Sequence, residues 1–159
     1  MVGFEGLRSA AASDIALLVR HRRAMFLEMV SREDRPYDKA KIPILDETYA
    51  AFLGRTLGTT SFGWVFEAHG RALSSGALSI VRDMPPSLRS LEGPTAYLYG
   101  VYTEPDARRR GLARLIVEAA VACAKEQGAP EVTLFASVAG RPLYEVLGFK
   151  GVPNFMRRV

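Results

Sequence analysis

The first third of the chain carries two stretches in which apolar residues recur at the spacing of a helix. The first stretch, residues 14–30, begins after Ser13, whose hydroxyl suits a helix N-cap. The second stretch, residues 46–57, starts at a capping aspartate and stops before Gly58. Residues 31–44 are polar and contain two prolines, so we expect a loop between two helices.

The middle of the chain is rich in aromatic and β-branched residues, which favour strands. Two such runs, residues 62–68 and 72–81, flank a histidine–glycine turn and predict a hairpin. Residues 83–93 contain two prolines and a glycine and predict a loop. Residues 95–102 then predict a third strand.

The last third alternates between helix and strand. After Gly111, an apolar stripe at helical spacing predicts a helix that ends at Gly128 and Pro130. The continuous apolar run 132–136 suits a strand at the centre of a sheet, and residues 140–147 suit a short helix. Two further short strands are expected near the ends of the chain, at residues 4–8 and 150–159.

The composition indicates which class of protein this is. The chain has 159 residues, of which 48% are hydrophobic and 24% charged, so we expect one globular domain over residues 1–159. The single cysteine, Cys123, excludes an internal disulfide and indicates a reducing compartment. The chain has no apolar run of transmembrane length and no signal-peptide pattern, so we expect a cytoplasmic protein without a membrane partner. Two distant histidines and one cysteine predict no metal site.

The most informative stretch is Arg108-Arg109-Arg110-Gly111-Leu112-Ala113, which joins the third strand to the following helix. The first backbone N–H groups of a helix have no internal acceptor and lie at the positive end of its dipole, so they bind phosphates readily. Gly111 allows a ligand to approach the backbone closely, and the arginines add positive charge. These residues predict a pyrophosphate site, although three arginines are also consistent with a solvated face.

Two motifs resemble those of one family. Arg108-x-x-Gly111-x-Ala113 follows a strand ending in Tyr102-Thr103-Glu104-Pro105, and a second motif, Leu143-Tyr144-Glu145-x-Leu147-Gly148-Phe149, lies downstream. In this order they resemble the GCN5-related N-acetyltransferase (GNAT) family, over about residues 95–149. The resemblance implies an α/β (α+β) fold: a central mixed, mostly antiparallel β-sheet flanked by about four helices, in the order β-α-α-β-β-β-α-β-α-β.

The resemblance also implies an activity, the transfer of an acetyl group from acetyl-CoA directly to a primary amine. The third strand would bond the pantetheine arm, and backbone amides, more than arginine side chains, would hold the pyrophosphate. Tyr144 would be the general acid toward the CoA thiolate, with Ser137 where the family often has asparagine and Gly140 where it often has alanine. The implied cofactor-binding residues are Val101, Tyr102, Thr103, Arg108, Arg109, Arg110, Gly111, Leu112, Ala113, Arg114 and Ser137.

The sequence says less about the residues that would bind and deprotonate the acceptor amine. Basic residues of the first helix, from Arg20 to Arg23, are interpreted as a solvated face with one arginine near the core; the alternative is a wall of the acceptor pocket, which the first two helices shape in the resembled family. The third strand lacks the glutamate that some members use as general base, and Tyr99, Glu67 and Glu28 are candidates, acting directly or through water. The alternative is that all three are plain surface or packing residues and that the amine arrives partly deprotonated and loses its proton to water.

The expected acceptor is an amine of a small molecule or peptide, and a homodimer is possible. An alternative function is an acyl-CoA-binding sensor or pseudo-enzyme without turnover. A nucleic-acid partner is not expected, because only the arginine run would support it and the net charge is a mild +4.

Overall fold

The computed structural model describes residues 6–158, and its elements follow the predicted order up to the last strand. Within this range the strands are β1 (Gly6–Ser9), β2 (Ser61–Ala68), β3 (Arg71–Val81), β4 (Thr95–Thr103) and β5 (Val132–Thr133). The α-helices are α1 (Ile15–Arg32), α2 (Lys41–Thr56), α3 (Leu112–Glu126) and α4 (Arg141–Val146). In the same residues, no helix combines the length and the apolar content that crossing a membrane requires.

The strands form one sheet in the order β1-β2-β3-β4-β5. Neighbouring strands from β1 to β4 are antiparallel, whereas β5 lies parallel to β4. This topology confirms the predicted mixed, mostly antiparallel sheet with about four helices. The predicted hairpin is also present, and its turn residues His69 and Gly70 have φ angles of 51° and 69°, as a tight hairpin turn requires.

The sheet is the middle layer between two sets of helices, because alternate residues of a strand point to opposite faces. On one face, Leu78 and Leu98 pack in a core with Ile116 of α3. On the other face, Tyr99 packs in a core with Leu53 of α2. β4 therefore presents one face to α3 and the other to α1 and α2.

The second helix begins earlier than the sequence pattern predicted. It starts at Lys41 rather than at Asp46, and the loop before it spans only residues 33–40. Pro43 lies in the first turn of α2, where a missing backbone N–H leaves no hydrogen bond unmade. The Asp46 carboxylate does not cap the helix and instead pairs with Arg23 of α1.

The predicted last two strands are shortened or absent. β5 has two residues where 132–136 was predicted, because the chain leaves β4 after Thr133. The strand predicted at 150–159 is wrong for the described residues, which form none after β5. Pro153 lies in this tail, and a proline cannot donate to a sheet ladder. The first strand is confirmed from residue 6 onwards; residues 4, 5 and 159 lie outside the described range.

A bulge interrupts the pairing of β3 with β4. The register skips between Ser75 and Ala77, so that Gly100 and Val101 of β4 face the single residue Gly76 of β3. Gly100 adopts a φ angle of 65°, which glycine tolerates better than other residues. Such a bulge bends the strand locally and re-aims the side chains around it.

His21 of α1 is buried against this part of the sheet. Its Nδ1 lies 2.8 Å from Ser75 Oγ, and its Nε2 lies 3.2 Å from Glu104 Oε1. Burial lowers the pKa of the imidazole, although the charge of Glu104 opposes the shift. A neutral ring fits both contacts, with Ser75 donating to Nδ1 and the Nε2–H donating to Glu104.

We expect Gly76→Ala to destabilise the fold. A methyl group on Gly76 would lie 2.5 Å from Cγ2 of Ile116 and 3.2 Å from a methyl of Val101, so α3 or β4 must move. The free energy of unfolding, measured by urea denaturation, should fall by about 1–3 kcal/mol. The matched control is Gly54→Ala in α2, where the added methyl meets nothing within 4 Å. This control should gain about 0.5–1 kcal/mol, because alanine favours a helix interior; equal stabilities would contradict the close approach at Gly76.

We also expect the fold to lose stability when His21 is protonated. Its folded-state pKa lies below the unfolded value of about 6.5, so the unfolded state binds more protons in that window and stability falls as pH drops below about 6.5. Urea unfolding at about pH 7.5 and about pH 5.5 measures the loss. His21→Gln should reduce it. An unchanged pH dependence in His21→Gln would contradict this assignment.

Candidate active site

The central feature of the site is a cleft where β4 and β5 part. The two strands pair only at Ala96–Val132 and Tyr97–Thr133, although β4 continues to Thr103. Beyond these pairs, the described part of the chain forms no strand on this edge of β4. An extended ligand can therefore lie along the open edge and bond to its backbone, as an added strand would.

A cavity of about 1030 Å³ follows this cleft. The end of β4 forms one wall, and the loop and first turn of α3 form the floor. Part of α1 and the segment before α4 complete the enclosure. Ten of the eleven predicted cofactor-binding residues line the cavity: Val101, Tyr102, Thr103, Arg108, Arg109, Gly111, Leu112, Ala113, Arg114 and Ser137.

The loop between β4 and α3 has the backbone conformation of an anion site. Arg109 and Gly111 have positive φ angles of 65° and 77°, and such a turn gathers successive N–H groups into a concave surface. Gly111 is the N-cap of α3, and no side chain caps this end of the helix. A methyl group on Gly111 would meet nothing within 4 Å, so the space beside it is open.

The Arg108 side chain is held in place by three hydrogen bonds. Its two terminal nitrogens donate to both oxygens of Glu28 on α1, at 2.8 and 2.6 Å. Its Nε donates to the carbonyl of Thr103 at 3.0 Å. The guanidinium holds the pKa of the Glu28 carboxyl below its usual range. Arg108 thus ties α1 to the end of β4 and to the loop.

The other arginines near the start of α3 are exposed to solvent, and Arg114 pairs along the helix with Glu118 at 2.8 Å. Arg109 and Arg114 nevertheless line the cavity, and Arg110 is the one predicted cofactor-binding residue that does not. Among these residues, the backbone of the loop is therefore better placed than the side chains to hold a ligand.

A second cavity, of about 190 Å³, opens from the first between α1 and the parted strands. Tyr144 of α4 lines it, with its ring packed edge-on against Phe149 at 5.7 Å. Burial raises the pKa of Tyr144 to about 12. A methyl group on Gly140 would lie 3.3 Å from this ring and 3.1 Å from Ser137 Oγ, which suits glycine to this position.

The three candidate bases differ in their access to the cavities. Glu67 is bonded to Arg8 between β1 and β2 and lines neither cavity. Glu28 lines the large cavity, but both its oxygens are engaged by Arg108. Tyr99 lines the small cavity and is buried. No carboxylate lines the small cavity among the residues that the structure describes.

Arg22 lines the small cavity, which fits the alternative interpretation of residues 20–23 as a pocket wall rather than the preferred solvated face. Three charged residues that were not predicted to belong to the site, Arg32, Glu33 and Arg35, line the large cavity. Arg22 lies four residues after Leu18 and four before Phe26, so the helical repeat places it on the inner face of α1. That spacing was the available signal. Arg20, by contrast, is exposed as expected.

Comparison with known proteins agrees with this geometry. The model of the acetyltransferase (GNAT) family matches residues 25–149. No curated protein sequence gives a significant match. A predicted acetyltransferase with acetyl-CoA from Clostridium acetobutylicum is 25% identical in its solved structure, with a TM-score of 0.81 over 96% of this chain and 94% of that one. A GCN5-related N-acetyltransferase from Ralstonia eutropha JMP134 is 26% identical, with a TM-score of 0.83 over 96% and 97% of the two chains.

The family match includes the cleft, the loop before α3 and the tyrosine of α4. It covers far more than half of the chain, which confirms the fold and the enzyme class inferred from the two motifs. Members of this family are acyltransferases that take the acetyl group from acetyl-CoA. The chain therefore belongs to the GNAT family of acetyltransferases.

Proposed function

We propose that this protein transfers an acetyl group from acetyl-CoA directly to the primary amine of a small molecule or peptide. The observation that carries the proposal is the continuity of the site: the open edge of β4 leads from the loop before α3 to the small cavity beside Tyr144. A donor laid along this edge would present its acetyl group to an acceptor in the small cavity.

The phosphates of the donor would bind at the start of α3. The amides from Arg109 to Arg114 supply N–H donors, and Val101, Tyr102 and Thr103 would meet the pantetheine arm. The charge of the large cavity suits such a ligand, because five arginines and two glutamates line it. These residues are Arg32, Arg35, Arg108, Arg109, Arg114, Glu28 and Glu33.

The reaction needs one bond to form and one to break. The neutral amine nitrogen attacks the thioester carbonyl carbon, the C–N bond forms, and the C–S bond breaks. The nitrogen releases one proton to solvent and the thiolate gains one. Tyr144 is the group that would donate to the thiolate, since its high pKa keeps the phenol protonated at neutral pH. A protonated phenol of this kind also opposes the alternative of a sensor without turnover.

The first test is the affinity for acetyl-CoA, measured by calorimetric titration. Gly111→Val should weaken binding by at least about tenfold, because the side chain enters the open space at the start of α3. Gly128→Val at the other end of α3 is the matched control: its φ angle is 79°, it also has nothing within 4 Å, and its backbone strain is the same. The control should lose stability but keep the affinity. Equal loss of affinity in both variants would contradict the phosphate assignment, and no binding to the wild type would overturn the proposed function.

The second test concerns Tyr144. Tyr144→Phe should lower kcat by about a hundredfold at neutral pH without changing the affinity for acetyl-CoA. The deficit should shrink as the pH rises above about 8.5, because a thiolate is then a stable leaving group and needs no proton. Steady-state rates from about pH 6 to about pH 10 measure this, with Tyr37→Phe in the loop before α2 as control. An unchanged kcat, or a deficit independent of pH, would exclude the donating role.

A further inference from the structure

Arg22 is a half-buried cation enclosed by aromatic rings. Its guanidinium carbon lies 4.7 Å from the ring centroid of Tyr99, 4.8 Å from that of Tyr49 and 5.1 Å from that of Phe26. Its Nε and Nη1 have no contact with solvent and no hydrogen-bond partner. Aromatic faces attract a cation but accept no strong hydrogen bonds, so the rings leave these N–H groups unsatisfied.

Three carboxylates of the surrounding elements are engaged by other groups. Glu28 is bonded to Arg108, Asp46 to Arg23, and the Glu104 carboxylate contacts His21. No ion pair of Arg22 is present in residues 6–158. A guanidinium that is largely removed from water without an anion is unfavourable, and in this fold it lies at the wall of a cavity.

Arg22 is also the only charged residue among the described residues that line the small cavity. An acceptor with two or more ammonium groups would meet a positive charge there and no carboxylate. An acceptor that carries a carboxylate would instead neutralise the guanidinium. Because the charge is delocalised over three nitrogens, an anion bonded from the cavity side compensates the whole group.

We propose that the acceptor is a small amino acid or a compound of the same kind, with a primary amine to be acetylated and a carboxylate that Arg22 binds. This inference rests on the proposed acetyl transfer and adds the substrate class. The one positive charge of the guanidinium is neutralised by the one negative charge of a carboxylate. The cavity of about 190 Å³ has room for a compound of this size.

Arg22 and Tyr144 line the same cavity, so both ends of such an acceptor have a partner in it. The carboxylate lies toward α1 and the aromatic rings. The amine lies toward Tyr144 and the parted strands, where the acetyl group of the donor arrives. Arg22 thereby determines specificity and orients the acceptor, and Tyr144 acts on the departing sulfur.

The test is a panel of amino acids, each paired with its carboxamide and with its decarboxylated amine, assayed for CoA release at saturating acetyl-CoA. For the amino acids that react, kcat/KM should exceed that of both neutralised partners by at least about tenfold. Arg22→Gln should lower kcat/KM for those amino acids by at least about tenfold, mainly through KM, and Arg22→Lys should recover part of the loss. Arg20→Gln, two residues earlier on the exposed side of α1, is the control and should leave the rate unchanged.

Melting temperatures of the variants show whether a loss of activity comes from a damaged fold or from lost binding of the acceptor. Arg22→Gln removes a cation that has no counter-ion but also three cation–π contacts, so its melting temperature should lie close to that of the wild type. A reactive amino acid should raise the melting temperature of the wild type but not that of Arg22→Gln.

Each remaining outcome counts against the inference. Carboxamides that react as well as their acids, or an Arg22→Gln enzyme with full kcat/KM for the acids, would overturn it. Acetylation of polyamines or peptides but of no amino acid would overturn the substrate class and leave the acetyl transfer standing. Saturable acetyl-CoA binding with no turnover on any amine would overturn both.

Discussion

The early parting of β4 and β5 is the constraint on which the rest of the site depends. The parallel ladder ends after Tyr97–Thr133, while β4 runs on to Thr103. A ladder along the full length of β4 would fill the space that both cavities occupy. The bulge opposite Gly76 lies in the same part of β4, and the close approach of Ile116 to Gly76 fixes the position of α3 against it. Strand, bulge and helix together determine where the open edge meets the first amides of α3.

The pair between Arg108 and Glu28 joins the donor and acceptor sides of the site. Both side chains are about 30% exposed, so solvent weakens their charge interaction. The two parallel hydrogen bonds nevertheless fix the direction of both groups. α1 also carries Arg22, so the pair connects the loop before α3 to the helix that forms a wall of the small cavity. The first arginine of the loop motif therefore acts as a positioning residue.

The sequence predicted those parts of the structure that depend on local pattern. The loop from Arg108 to Ala113 needs only a strand, a glycine with positive φ and a helix, and all three are visible in consecutive residues. The length of β5 could not be predicted, because residues 132–136 are apolar whether or not they pair. The position of Arg22 was visible only in part: its helical spacing allowed the inner face of α1, its charge favoured a solvated face, and the packing of Tyr49 and Tyr99 around it decides between the two. Contacts between residues far apart in the sequence determine both the length of β5 and the surroundings of Arg22.

The proposed acceptor would also explain a site without a dedicated general base. A carboxylate near the amine would stabilise the ammonium form and raise its pKa, which delays attack. Arg22 is the one charge among the described residues that line the small cavity, and the carboxylate of the proposed acceptor would neutralise it. The ammonium at the other end would then be a charge removed from water with no partner, and burial would lower its pKa. Such an amine would lose its proton to solvent, and a glutamate on β4 would be dispensable for this acceptor.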